Sequence, residues 1–391
     1  MKRGAYIHVG CRKSGTSALQ AAIRSSAEEM SAQGLGMPLA ERVDHYSGIL
    51  TPLTSFGEDE EVSPRVHKAM ARLVSTMSAT PGSRLLLTME DLAELSARRA
   101  AVLVEALKEE FDVHVIITAR DWARQIPSEW QQDVKQRSIV TYDDFVEAVR
   151  KRTPDSDDYY ARQDVPGIAA RWGAQLPPER VHIVAVPQGR DASRLFELFG
   201  GILDLDPSSL QKAGGRNPSL GYEQAETLRR VNVALGDRLT NFRRDYRFAV
   251  RSFIYHGALR GREGMSLRLP PDTVAWCHEA SAAQAKELVE RGYDVVGSVD
   301  DLIAPNQPET SERVEVTDSQ VATVAVRALA DLAVLRHKEV REAAKRAESG
   351  KGPENARQAA SRPAAGPAER IGRRVDGVLR RIRRRRRSDR R

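Results

Sequence analysis

The sequence predicts an α/β fold, a doubly wound parallel sheet followed by helical additions and a basic tail. Three observations lead there. Short apolar runs of strand length alternate with longer segments of helical period through residues 1–200. The first run passes through a glycine-containing turn directly into a helical pattern. Later runs end in charged residues, and the carboxyl edges of open parallel sheets are where ligands gather.

Taken in order, Tyr6, Ile7, His8 and Val9 alternate as a short strand does. Ala18, Leu19, Ala22 and Ile23 then recur at helical spacing and predict a helix over 14–30. Residues 34–57, broken by Gly and Pro, read as a long loop over the site. Residues 66–77 read as helix and 84–88 as a buried strand. A helix over 96–110 places Ala100, Leu103, Val104 and Leu107 on one face. The run 113–118 is a strand and 121–135 a helix, in which Pro127 predicts a kink or a late start. Thr141 opens another helix with capping character. Residues 181–186 form a strand and 192–199 a helix. Strands separated by helices pair in parallel through right-handed crossovers. Residues 222–255 are helical and carry seven arginines, Arg251 among them, either as a solvated face or to favour an anionic acceptor. Residues 314–347, rich in Ala and charge, fit one or two helices. The chain thus divides into a body over 1–303, a helical extension over 304–349, and a linker with an Arg-rich tail over 350–391.

The turn after the first strand carries Gly10, Lys13, Ser14, Gly15, Thr16 and Ser17. A turn of this kind aims N–H groups and hydroxyls at one place, at the positive end of a helix dipole, and so makes an anion cradle. In a Walker A loop the Lys directly follows the second Gly. Gly10 and Gly15 have that spacing, but Thr16 follows Gly15 and Lys13 precedes it by two positions. The loop therefore predicts a phosphate-like ligand without an ordinary ATP or GTP site. A second cation, Arg120, ends the 113–118 run, and Ser128 follows it by eight residues. Each feature also has a plain structural reading: the turn as packing, Arg120 and Arg124 as solvent-facing. Their pairing at two strand ends is what favours a ligand.

The run Lys13-Ser14-Gly15-Thr16-Ser17 resembles the 5′-phosphosulfate loop of sulfotransferases that use 3′-phosphoadenosine 5′-phosphosulfate (PAPS). Arg120 with Ser128 resembles the pair by which that family grips the 3′-phosphate. Residues 212–220 and 293–302 are similar to segments of the bacterial members. The resemblance implies a P-loop NTPase-like sulfotransferase fold over about residues 1–303. It also implies PAPS as cosubstrate and a hydroxyl acceptor, less readily an amine, on a carbohydrate, glycolipid or small molecule. By the same resemblance Arg12, Lys13, Ser14, Gly15, Thr16 and Ser17 hold the 5′ end, and Arg120 and Ser128 the 3′-phosphate. Arg216 and Asn217 would cover the adenosine phosphates, although a helix-entry turn before Leu220 explains them as well. Lys13 and Thr16 would meet the charge that develops on the departing 5′-phosphate. Glu90, at the end of the 84–88 strand, resembles the base of heparan-type and several bacterial members; its plain reading is a helix cap, the role expected of Asp91. His45 is the rival base because imidazole titrates near neutrality. His8 reads as packed beside the loop.

Composition bounds the remainder. The 391 residues contain 2 cysteines, Cys11 and Cys277, which give no disulfide framework and point to a reducing compartment. No His/Cys/Asp cluster has metal-ligand spacing, so no metal is expected. The beginning lacks an apolar signal core, and no stretch reaches transmembrane length, so a cytoplasmic location is expected. The last 23 residues hold twelve arginines against Glu369, Asp376 and Asp389, a net +9 in a chain of +7, which leaves about −2 for the rest. Ile371, Val375, Val378, Leu379 and Ile382 share a helical face there. That pattern favours an anionic membrane surface, reached from the cytoplasmic side, over nucleic acid, for which no binding fold is recognisable. A small-molecule P-loop kinase, or a membrane- or nucleic-acid-binding protein with a non-catalytic scaffold, are the competing readings. The acceptor and the oligomeric state are left open by the sequence.

Overall fold

Six strands build one all-parallel sheet: β1 (Arg3–His8), β2 (Leu35–Gly36), β3 (Arg84–Thr88), β4 (Phe111–Ala119), β5 (Val181–Ala185) and β6 (Asp294–Val296), in the order β2-β3-β1-β4-β5-β6. The computed structural model describes residues 2–39, 42–189, 193–210, 220–306 and 315–348. The chain fills the sheet to one side of β1 and then to the other, so the topology switches direction at β1. His8 is in register with Thr88 of β3 and with Ile116 of β4, which brings three carboxyl ends together at that switch point.

The principal helices are α1 (Thr16–Ser25), α2 (Pro64–Ala79), α3 (Ala97–Lys108), α4 (Trp122–Lys135), α5 (Tyr142–Lys151), α6 (Asp157–Gln163), α7 (Val165–Gly173), α8 (Ser193–Ile202), α9 (Tyr222–Leu235), α10 (Phe242–Leu259, π-helical), α11 (Pro271–Glu290) and α12 (Asp318–Glu348). The pleat sends Leu85, Leu87, Val115, Ile117 and Ile183 to one face, under α2, α3 and α7. It sends Leu86, Ile116 and Val184 to the other, under α1 and α8. With both faces covered, β3 and β5 are buried along their middles without alternation. A further core lies beside the sheet, where Trp122, Trp130, Phe145, Leu228, Tyr246 and Cys277 join α4, α5, α9, α10 and α11.

Several expectations are revised. The first helix starts at Thr16, breaks at Ser26 and resumes over Ala27–Ala32. Residues 34–57 are not one loop: they contain edge strand β2 and the helical turns Arg42–His45, Tyr46–Leu50 and Thr51–Leu53. Helix α4 is continuous through Pro127 and starts at Trp122, where the Asp121 carboxylate caps its first turn by accepting from the Arg124 amide at 3.0 Å. The basic stretch 222–255 is two helices, α9 and α10. The helical extension is the single helix α12, docked on α9 through Arg230–Asp318 at 2.8 Å and buried at Ala328. Arg216, Asn217 and the Arg-rich tail lie outside the described residues. Among the described residues no helix is long and apolar enough to cross a membrane.

Candidate functional site

The loop between β1 and α1 begins as a continuation of the strand. The Val9 amide donates to the Ile116 carbonyl at 2.9 Å and the Cys11 amide to that of Thr118 at 3.0 Å. Lys13 (φ 64°) and Gly15 (φ 88°) then turn left-handed. The backbone angle of Gly15 favours glycine, and a Cβ there would also displace the Leu195 side-chain end, 2.5 Å away. Beyond the turn, the amides of Lys13, Gly15, Thr16 and Ser17 find no backbone acceptor among the described residues. Four N–H groups around a helix start are thus without a backbone acceptor among the described residues, as helix N-termini that receive anions are.

The loop rests on a polar bed. The Arg12 carbonyl accepts from Gln163 Nε2 at 3.1 Å and also from Gln125 Nε2. Behind it Glu129 is fully buried, its carboxyl pushed up by that burial, with Arg162 Nε 3.2 Å away. None of these supports was singled out from sequence. Their signal is polar residues, Gln125 and Glu129, at helical spacing within the buried stripe Trp122, Ile126, Trp130.

Two loop side chains expected to face the ligand turn inward instead. The Arg12 guanidinium pairs with Asp91 at 3.1 Å and Glu94 at 3.2 Å. The Ser14 hydroxyl is buried, donating to the Cys11 carbonyl at 2.5 Å and meeting Thr118 Oγ1 at 2.7 Å. Asp91, expected as a helix cap, holds Arg12 and accepts from the Tyr46 hydroxyl; the helix cap of α3 is Ser96. Ser17 is exposed at the start of α1. Cys11 is buried and its thiol is pushed up to about 12, first by burial, which makes it packing rather than a nucleophile.

His8 lies 1 % exposed under the loop and within one directional line of hydrogen bonds. The Gln20 amide donates to Thr88 Oγ1 at 3.3 Å, and that hydroxyl faces His8 Nδ1 at 2.9 Å. His8 Nε2 faces Thr118 Oγ1 at 3.4 Å, Thr118 meets Ser14, and Ser14 ends on the Cys11 carbonyl. An amide NH₂ at one end and a carbonyl at the other fix every proton between, with Nδ1 accepting and Nε2 donating. Burial holds this imidazole down to about 3, so it is neutral.

Thr16 Oγ1 donates to Glu90 Oε2 at 2.6 Å, tying α1 to the end of β3. Lys13 is mostly withdrawn from solvent; burial lowers its pKa, while Glu129 and Glu90 oppose that shift. Arg120 Nη1 approaches both the Lys13 carbonyl and Ser128 Oγ at 3.4 Å, and Ser128 also donates to the Arg124 carbonyl at 2.9 Å. Burial, and then Arg124, bring Arg120 down to about 10, still a cation at neutral pH. Arg124 is not a surface residue: it donates to the carbonyls of Pro187 at 2.7 Å and Val186 at 2.9 Å and pairs with Asp121, clamping α4 to the end of β5.

Glu90 and His45, the two candidate bases, line one cleft together with Gln20, Ile23, Met37 and Leu39. They differ in readiness. His45 is buried, and its Nε2 accepts from the Thr88 amide at 3.2 Å, which occupies the lone pair a base would use. Glu90 is partly exposed and keeps acceptor capacity beyond its bond from Thr16. Comparison of the chain with family models, with curated proteins and with solved structures gives no match.

Proposed function

We propose that the chain is a PAPS-dependent sulfotransferase of P-loop-like fold, acting on a hydroxyl acceptor. The observation that carries this reading is Arg120, whose guanidinium approaches both Lys13 of the loop and Ser128, joining the two sequence motifs in one place. The residues present suit such a donor. The loop amides and Lys13 fit its 5′ end, and the Arg120 fork with the Ser128 hydroxyl fits a 3′-phosphate. The donor supplies an activated sulfuryl group. Glu90, oriented by Thr16, takes the proton of the acceptor hydroxyl as the acceptor oxygen bonds to sulfur and the S–O bond to the 5′-phosphate breaks. Lys13 and the amides of Gly15, Thr16 and Ser17 meet the negative charge left on that phosphate; losing one such contact costs about 100-fold or more in rate.

One observation favours phosphoryl transfer instead. A hydroxyl–carboxylate pair such as Thr16–Glu90 is also what a kinase uses around Mg²⁺. Calorimetric titration with 3′-phosphoadenosine 5′-phosphate, ADP and AMP, with and without Mg²⁺, separates the two. The 3′-phosphorylated ligand is expected to bind at least about tenfold tighter than ADP without Mg²⁺. Arg120→Met should remove most of that margin. Equal affinities, or a margin untouched by Arg120→Met, would overturn the donor assignment. Glu90→Gln should leave nucleotide affinity in place while lowering sulfuryl release about 100-fold or more; normal turnover there, with His45→Ala inactive, moves the base to His45.

A further inference from the structure

The loop opens with a turn from Cys11 to Ser14, closed by the Ser14 amide donating to the Cys11 carbonyl at 3.4 Å. Arg12 keeps a negative φ and Lys13 has φ 64°, which makes the turn type II. That type calls for glycine or asparagine at the position Lys13 holds. Rotating the central Arg12–Lys13 peptide by half a turn gives type I, which suits a lysine there. The chain keeps the form that its own residue disfavours, so groups outside the turn select it. Gln125 of α4 and Gln163 at the end of α6, 1 % and 2 % exposed, both donate to the Arg12 carbonyl, Gln163 at 3.1 Å. Gln125 Nε2 also donates to Gln163 Oε1 at 2.8 Å. An end group that faces two oxygens can only be the NH₂, which fixes the sense of both amides. A trans peptide sets its N–H opposite its C=O. The hold on the Arg12 carbonyl therefore turns the Lys13 N–H away from the glutamines, and that N–H has no acceptor among the described residues.

We propose that Gln125 and Gln163 are positioning residues that lock the central peptide of this turn, so that the Lys13 N–H is offered to the 5′-phosphate of the donor. The role toward that phosphate rests on the donor reading above; the orientation of the peptide does not. Without the pair the turn relaxes to type I, and a carbonyl oxygen takes the place of the N–H before the anion. One donor is lost and one repelling acceptor gained by a single rotation. Two buried amides converge on one carbonyl because a lone hydrogen bond would hold that rotation less firmly.

The test uses the full chain with Gln125→Met and Gln163→Met, singly and together, each keeping the length of the side chain and losing the amide. Calorimetric titration compares 3′-phosphoadenosine 5′-phosphate with adenosine 3′-phosphate, which lacks the 5′ group. The double variant should bind the first about tenfold more weakly than wild type does and the second within about twofold. Equal losses for the two ligands, or no loss for either, would reduce the glutamines to packing and overturn the proposal. Wild-type protein gives a second reading should the variants fail to fold. With isotope-labelled lysine, the Lys13 amide resonance, identified by its absence from Lys13→Arg, should shift on saturation with 3′-phosphoadenosine 5′-phosphate, and its hydrogen exchange should slow. An amide indifferent to bound nucleotide overturns the proposal. If the nucleotide binds no form of the protein, the donor reading fails by itself. Inorganic phosphate, at about 10 mM and against NaCl of equal ionic strength, then decides: a shift of the same resonance keeps the positioning role for a simple anion, and its absence ends it.

Discussion

His8 is held neutral because both of its ring nitrogens are committed and water is excluded. Its folded pKa of about 3 lies below the ordinary 6.5, so the unfolded chain binds the proton more readily. The stabilisation is therefore complete above about pH 6.5 and is lost progressively as the pH falls toward about 3. Urea unfolding between pH 7 and 4 should show wild type losing stability relative to His8→Asn, whose amide keeps polar atoms under the loop but takes up no proton. Parallel pH profiles would remove this role. At the same scale, the reach of sequence reading is uneven. That Arg120, Ser128 and the Lys13 loop come together was legible, because both motifs stand at the ends of neighbouring strands. The inward turn of Arg12 and Ser14 was not, because it depends on Asp91, Glu94 and Thr118, which reach the loop from other strands and turns. Spacing along one segment carries no record of such partners.

At the scale of elements, β1, β3, β4, β5 and α3 follow from local pattern, while β6 was not foreseen: 84–88 matches β3, and the face Ala100, Leu103, Val104, Leu107 is buried as its period requires. Edge strand β2 escaped notice because two residues, Leu35 and Gly36, have no period to detect. It is fixed by tertiary bonds, the Gly34 carbonyl accepting from the amides of Ser83 at 2.9 Å and Arg84 at 3.1 Å. That close approach passes over Gly82 (φ 116°), where a Cβ would meet the Gly34 carbonyl oxygen at 2.7 Å and the Gly36 nitrogen at 2.9 Å, both backbone. Gly82→Ala should cost about 1–3 kcal/mol in chemical denaturation through combined strain and clash. Because β2 leads into Met37 and Leu39 of the cleft, it should disturb acceptor use more than nucleotide affinity. An unchanged denaturation midpoint would show that β2 contributes little. Helix α4 has the opposite character: capped by Asp121, it brings Gln125 and Ser128 to the Arg12 carbonyl and Arg120 from one continuous helix.

For the whole molecule, charge is segregated along the chain. Residues 369–391 carry +9 against a total of +7, so the body and its extension are nearly neutral and the high isoelectric point belongs to the tail. Composition made that division readable, since an Arg run needs no fold to be recognised. Deleting residues 351–391 should abolish sedimentation with vesicles containing phosphatidylserine and leave nucleotide affinity unchanged; vesicle binding that survives the deletion would place the membrane contact elsewhere. The docking of α12 on α9 was beyond sequence reach, because an Ala-rich helix does not state which surface it covers. A last consequence concerns the line from Gln20 through Thr88, His8, Thr118 and Ser14 to Cys11. It has a polarity, like a row of one-way valves set by its two ends. Replacing the terminal amide by a carboxylate would set an acceptor at each end, and one link of the line would then have to lose its hydrogen bond. Gln20, which lines the cleft, is thereby linked to the floor of the β1–α1 loop across three strands, through the sense of its hydrogens alone.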